Sequence, residues 1–253
     1  MVARTVSRSA PRRSQEEMAA RVELAACYRL IAQFKMTDLV YTHISARIPG
    51  TEHFLLNPFG LLFEEVTASN LVRVDLDGEI VEDTPYHVNP AGFTIHSAIH
   101  AARPDVNCVL HTHTRAGIAV SCMREGLLPL SQIAMQFHNR VAYHDYEGIA
   151  LDLDERERLS RDLGHRKAMI LRNHGLLTAG ESVAEAFSVM FYLERACEIQ
   201  IAALSTGREL ILPAPEVCEK VARQCEGDEE PAGTREWRAL LRQLDRIDPS
   251  YRD

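Results

Sequence analysis

Val109-Leu110-His111-Thr112-His113 and, much further along the chain, Asn173-His174-Gly175 are the stretches on which the fold turns. Val106 to Leu110 reads as a short apolar strand, and side chains two apart on a strand leave the same face. His111 and His113 therefore project together from the strand end as a two-pronged nitrogen chelate. Ala168-Met169-Ile170-Leu171-Arg172 is a second buried-strand pattern, and it delivers His174 at its end, just before a glycine. Three neutral imidazoles that leave a position open form the ligand set of a catalytic zinc site, and the set also suits iron, manganese or cobalt. The bland alternative is two exposed histidines at a strand end and a third in a turn. The strand contexts weigh against it.

The chain has 253 residues, enough for one large domain with a sizeable core. Its 28 basic and 36 acidic residues give a net charge of −8, which argues against a general nucleic-acid or membrane-surface protein. No apolar run approaches the roughly 18 residues needed to span a bilayer. The six cysteines, at 27, 108, 122, 197, 218 and 225, are scattered and form no C-x-x-C pair. That pattern suits buried thiols in a reducing compartment, so a cytoplasmic location is expected. The separation of Cys218 from Cys225 is not a zinc-ribbon spacing.

Residues 1 to 14 carry Arg4, Arg8, Arg12 and Arg13 and no acid, the composition of a disordered basic tail or of a transit peptide. Ser14-Gln15-Glu16-Glu17 is a capping box that opens a helix running to about Met36. Tyr41 to Ile48 and His53 to Leu56 read as strands, Asn57-Pro58-Phe59-Gly60 as a turn, and Val72 to Val81 as a hairpin around Asp77-Gly78. Asn89 caps and Pro90 opens a helix to Ala102. His96 and His100 lie four apart on it, among apolar neighbours, and read as structural. A short helix from Thr114, a strand at Val141 to Tyr146 and a polar helix from Asp154 to Leu163 follow. Glu181 to Leu204 is a long amphipathic helix ended by Gly207. The rest, 208 to 253, reads as a C-terminal extension: a linker around a short helix, then a last helix from Trp237 to Ile247. The expected division is thus a tail at 1–14, a main domain at 15–207 and the extension. Alternating helices and strands with two hairpins predict an α/β fold: a mixed, largely antiparallel sheet with helices on both faces.

The combination of His111-Thr112-His113, Asn173-His174-Gly175, Arg103-Pro104-Asp105 and Asn57-Pro58-Phe59-Gly60 resembles the class II aldolase/adducin superfamily. The resemblance covers about residues 15 to 207. The wording is most similar to the adducin head domain at Val66-Thr67-Ala68-Ser69, Ala91-Gly92-Phe93-Thr94, His96-Ser97-Ala98-Ile99 and Val141-Ala142-Tyr143-His144-Asp145-Tyr146. It implies a three-layer α/β/α sandwich, a homo-oligomer (commonly a ring-shaped tetramer with active sites between subunits), and a zinc ion held by His111, His113 and His174.

The departures bear on the substrate. The glutamate with which the sugar-phosphate aldolases open the helix before the metal strand falls on Gly92. Pro90 and Ala91 stand where serines would help to hold a phosphate, and neither side chain donates to an anion. The tyrosine proton donor of the relatives would fall near Gln132, and His43 replaces an asparagine beside Ser45. Gly92 is expected to leave free volume, and the small-molecule substrate to be an unphosphorylated hydroxy- or oxo-acid bound by two adjacent oxygens.

What the resemblance implies is a lyase using one divalent metal, zinc first, with Fe2+, Mn2+ or Co2+ as alternatives. Such a metal polarises a carbonyl and stabilises an enediolate, which serves aldol cleavage or decarboxylation. The proton shuttle then passes to another group, and His43, His96, Tyr143 and His144 are the candidates. Two other readings stand beside the lyase: a non-heme Fe(II) oxygenase on the same scaffold, and a non-catalytic adducin-like assembly module.

Overall fold

A computed structural model describes residues 13–149, 154–226 and 230–253. The basic tail up to Arg12 lies outside them. Its end does not: Ser14 accepts a hydrogen bond from the Glu17 backbone and so opens helix α1, Gln15–Gln33, at the expected residue.

Seven strands form one sheet: β1 His43–Arg47, β2 Phe54–Leu56, β3 Val72–Val74, β4 Cys108–Thr112, β5 Val141–His144, β6 Ala168–Leu171 and β7 Gly175–Gly180. Their order is β3-β2-β1-β4-β7-β6-β5. Every neighbouring pair is antiparallel except β5 with β6. The mixed, largely antiparallel sheet is therefore as the sequence led us to expect.

Strand alternation splits the core into two layers. On one face, Leu110, Ile170 and Leu176 pack with α1 and the long helix α6, Val183–Ser205, which also meets the short helices α3, Arg115–Ser121, and α4, Gln132–Met135. On the other, Val109, Met169, Leu171 and Leu177 pack with α2, Pro90–Ala102, and α5, Glu155–Leu163. Helices thus cover both faces, which makes three layers. Full burial of one such Leu or Ile contributes about 1.5–3 kcal/mol, so each layer is a substantial share of the stability.

Strand β7 is the one strand that sequence reading left unassigned, as the short helix Gln132–Met135 was among the helices. Gly175-Leu-Leu-Thr-Ala-Gly180 is buried throughout and pairs with both β4 and β6. A short apolar run buried on two faces has no alternation to betray it, and its flanking glycines mimic a loop. The hairpin at Asp77-Gly78 exists in reduced form. Val74 bridges Ile80, the Asp75 carboxylate accepts from the Asp77 and Glu79 backbone, and Gly78 takes φ +94°.

The C-terminal residues form α7, Pro215–Glu226, and α8, Thr234–Ile247. Trp237, Leu244 and Tyr251 are buried in the larger core layer. Trp237 donates to Glu23 of α1 at 2.5 Å, and the Tyr251 and Asp253 carbonyls accept from Ala68 and Ser69. The six cysteines are all free. Among the described residues no helix is long and apolar enough to cross a membrane.

Candidate metal centre

His111 and His113 stand at the end of β4, and the tight turn between β6 and β7 carries His174 to them. Their Nε2 atoms meet: His111 to His113 at 2.9 Å and His113 to His174 at 2.9 Å. One nitrogen from each of the three rings lies within 4.8 Å of the others, a spacing that could hold a metal ion. Two backbone features bring this about. Asn173 takes the left-handed conformation at φ +56°, which asparagine tolerates better than most side chains. Gly175 has no Cβ, and one placed there would overlap the Thr112 carbonyl and press on the His113 and His111 rings.

The other ring nitrogens are spoken for. His111 Nδ1 donates to the Leu176 carbonyl at 2.9 Å, and His113 Nδ1 donates to Asp38 Oδ2 at 3.0 Å. No such partner for His174 Nδ1 is found among the described residues. With the Nδ1 protons committed, the facing Nε2 atoms of His111 and His113 are both lone pairs. Two neutral rings so arranged turn their lone pairs on one another at 2.9 Å and repel unless a cation takes them, so the donor set fits a metal. Burial, with the charges of His174, His43 and His113 behind it, holds the His111 pKa well below its ordinary value. Burial and then His113 and His144 bring His174 to about 4. Neutral imidazole is the form a divalent metal needs.

His43 lies across from His111 in the β1–β4 register, with ring centroids 5.1 Å apart. Its Nδ1 meets His96 Nε2 at 2.8 Å. The space over Gly92 is therefore not free, contrary to expectation. A Cβ on Gly92 would stand 2.5 Å from His43 Cδ2, so the imidazole fills that space. The residue before His43 is Thr42, β-branched and buried at φ +67°, a conformation that costs on the order of 1–3 kcal/mol.

His96 and His100, placed on α2 as structural residues, line up behind His43. His96 Nδ1 meets Ser45 Oγ at 2.5 Å, and Ser45 Oγ meets His100 Nε2 at 2.7 Å. All three rings are held neutral, foremost by burial, and His100 is brought to about 3.

His144 and Tyr143 leave β5 on opposite faces. His144 joins a small pocket beside His174 that also involves Tyr146, Arg172, Glu147 and Glu155. Its Nδ1 meets Asp162 Oδ2 at 2.8 Å and its Nε2 lies 3.5 Å from Glu155. Tyr143 is not brought to the histidines. Its hydroxyl accepts from the Leu127 backbone at 3.0 Å, and the Arg172 guanidinium covers its ring. Two neighbours of the triad were missed from sequence, Asp38 and Tyr146, the latter with its ring 6.1 Å from His174. Asp38 sits in an irregular loop with no periodicity to mark it. Tyr146 was visible only as the end of a strand pattern.

A sheet covered on both faces, with three convergent imidazoles at its strand ends, defines an α/β protein built around a candidate metal chelate. The chain belongs to the class II aldolase and adducin family: residues 22–201 match the family described as Class II Aldolase and Adducin N-terminal domain. The crystal structure of an aldolase II superfamily protein from Pseudomonas syringae is 58% identical, covering 96% of this chain and 98% of that one at a TM-score of 0.92. L-fuculose 1-phosphate aldolase from Glaciozyma antarctica PI12 is 28% identical, with 96% and 97% covered and a TM-score of 0.84. Alpha-adducin of Rattus norvegicus is 47% identical over 90% of this chain, which spans 33% of that protein's length.

Proposed function

We propose that the protein is a metal-dependent carbon–carbon lyase acting on a small unphosphorylated hydroxy- or oxo-acid. The observation that carries this is the approach of His111 Nε2 and His113 Nε2 to 2.9 Å, with each Nδ1 set against an acceptor, the Leu176 carbonyl and Asp38 Oδ2. A divalent metal held by His111, His113 and His174 would supply Lewis-acid polarisation of a carbonyl and stabilise negative charge developing beside it.

The start of α2 supports an unphosphorylated substrate. Pro90 has no N–H, the Ala91 N–H is taken by the Asn89 side chain, and the Phe93 N–H is taken by the Asn89 carbonyl. Of that turn the Gly92 N–H alone is left, whereas a phosphate dianion wants several donors. The wall above it is the neutral ring of His43, which does not repel a carboxylate as a glutamate would. In this reading His43 handles the substrate proton, His96 stands behind it, and His144 borders the pocket beside His174. Tyr143 has no part, because its hydroxyl is tied to the 126–127 loop. By analogy with the family we expect a homotetramer.

The test is activity of the zinc-loaded protein on paired phosphorylated and unphosphorylated hydroxy-acids, following release of the carbonyl product. Turnover confined to the unphosphorylated members is expected, and preference for the phosphorylated members would overturn the substrate assignment. The 47% identity to alpha-adducin favours a second reading, a non-catalytic assembly module. Metal-loaded protein inert toward both sets would favour that reading.

A further inference from the structure

His111 and His113 are not held alike. His111 pairs with His43 on β1 and with Leu177 on β7, so its backbone is fixed from both sides. The ladder to β7 ends one residue later, at Thr112 and Leu176, and pairing with β1 stops at His111. His113 therefore stands past the last strand pairing, between β4 and the first turn of α3. Its ring has a partner in Asp38, but that carboxylate is partly exposed and belongs to a loop.

Firmer contacts lie on the far side of the pleat. Thr112 and Thr114 alternate with the two histidines and turn toward α6. Thr112 Oγ1 donates to Met190 Sδ at 3.3 Å, and Thr114 Oγ1 donates to Glu194 Oε2. Met190 and Glu194 are four apart, one turn along the same face of α6. All four side chains are buried, so no water competes for these contacts. Thr114 is the N-cap of α3, where a threonine hydroxyl ordinarily accepts from a backbone N–H of its own helix. Here it makes no such bond and is given instead to a carboxylate 80 positions away. Gly117 lets α3 close over the contact, because a Cβ there would stand 2.6 Å from Thr114 Oγ1.

We infer that Glu194 and Thr114 are positioning residues for the metal centre: their contact ties the chain one residue beyond His113 to α6, and so sets where His113 Nε2 stands relative to His111 and His174. The inference rests on the metal reading of the triad and on no particular reaction. Each ligand then has its own anchor: strand pairing for His111, α6 for His113, and the left-handed turn at Asn173 for His174. The role belongs to Thr114 and not to Thr112. Thr112 is buried and touches α6 as well, but the ladder to Leu176 holds its backbone without help from the hydroxyl.

Two measurements on the full chain read the site without turnover: zinc affinity, by competition with a chromophoric chelator, and the visible absorption of the cobalt-loaded protein. Urea unfolding of the metal-free protein reads the fold separately. Thr114→Val keeps the shape of the side chain and removes the hydroxyl. About tenfold weaker zinc binding is expected, as for other losses of support behind a metal ligand, together with an altered cobalt spectrum. Thr114→Ser returns the hydroxyl and should return both readouts to the wild-type values. Thr112→Val should leave both where they are, which a general loosening of the β4–α6 contact would not. Glu194→Met should weaken zinc as much as Thr114→Val does, and the double variant no more than either single one. Either single variant decides the matter if the other does not fold. Unchanged zinc affinity in Thr114→Val or in Glu194→Met, or an equal loss in Thr112→Val, would overturn the inference and leave the metal reading standing. Wild-type protein that takes up no zinc would defeat the metal reading, and this inference with it.

Discussion

Replacing Gly92 by alanine tests the relation between α2 and the His43 ring by the sign of its effect. In a helix, Gly→Ala is ordinarily stabilising by up to about 1 kcal/mol. Here the new methyl would stand 2.5 Å from His43 Cδ2, 2.8 Å from Cγ and 3.0 Å from Nε2. The ring cannot yield cheaply. It is buried against the sheet opposite His111, and its Nδ1 is bonded to His96. Overpacking of this kind costs about 1–3 kcal/mol, and displacing the ring also loses a buried hydrogen bond of about 1 kcal/mol. The expected net effect is a loss of about 1–3 kcal/mol, read as a lower urea midpoint with unchanged slope. In a His43→Ala background the clash is gone, and Gly92→Ala should be neutral or stabilising. The double-mutant cycle should therefore show a coupling of about 1–4 kcal/mol. A wild-type chain stabilised by Gly92→Ala would refute the placement of the ring.

Other perturbations probe the surroundings. Asp38→Ala frees the His113 ring from its partner and should lower zinc affinity about 10–100-fold, measured by competition with a chromophoric chelator. Tyr28→Phe removes a fully buried hydroxyl that accepts from the Ile44 and Asn57 backbone at 2.8 and 3.2 Å. Leaving both N–H groups unpaired should cost about 2–4 kcal/mol in urea unfolding. His100 is held near 3 by burial first and the Arg47 charge second, against an ordinary value of 6.5. The folded state thus resists protonation that the unfolded state accepts, and the contribution of His100 is complete above about 6.5 and lost as pH falls toward about 3. His100→Gln should flatten the stability profile across that window, in which Ser45 Oγ, Arg47 and the Phe54 ring are the groups facing His100.

Much of this architecture is legible in the chain, because it depends on local chemistry. Two-residue alternation at the end of β4 places His111 with His113. The apolar run of β6 places His174, and Asn89-Pro90 marks the first turn of α2. What escaped reading depends on neighbours distant in sequence. Strand β7 owes its state to β4 and β6 on either side of it. The space over Gly92 is filled by His43, 49 positions earlier in the chain. His96 and His100 look like ordinary helical histidines until Ser45, on a different element, joins them. The Tyr143-His144 pair reads as one polar cluster, yet the pleat sends the two side chains to opposite faces. Helix α8 was foreseen, but its contribution of Trp237 and Leu244 to the main core is a tertiary fact with no local mark.

The account stands on the triad, and metal analysis addresses it most directly. Protein purified without added metal is exchanged into chelator-free buffer and assayed by mass spectrometry for zinc, iron, manganese and cobalt. About one divalent ion per chain is expected, falling to background in the His111→Ala/His113→Ala double variant. Full metal content in that double variant, or wild-type protein that takes up no divalent ion from micromolar solutions of these metals, would contradict it.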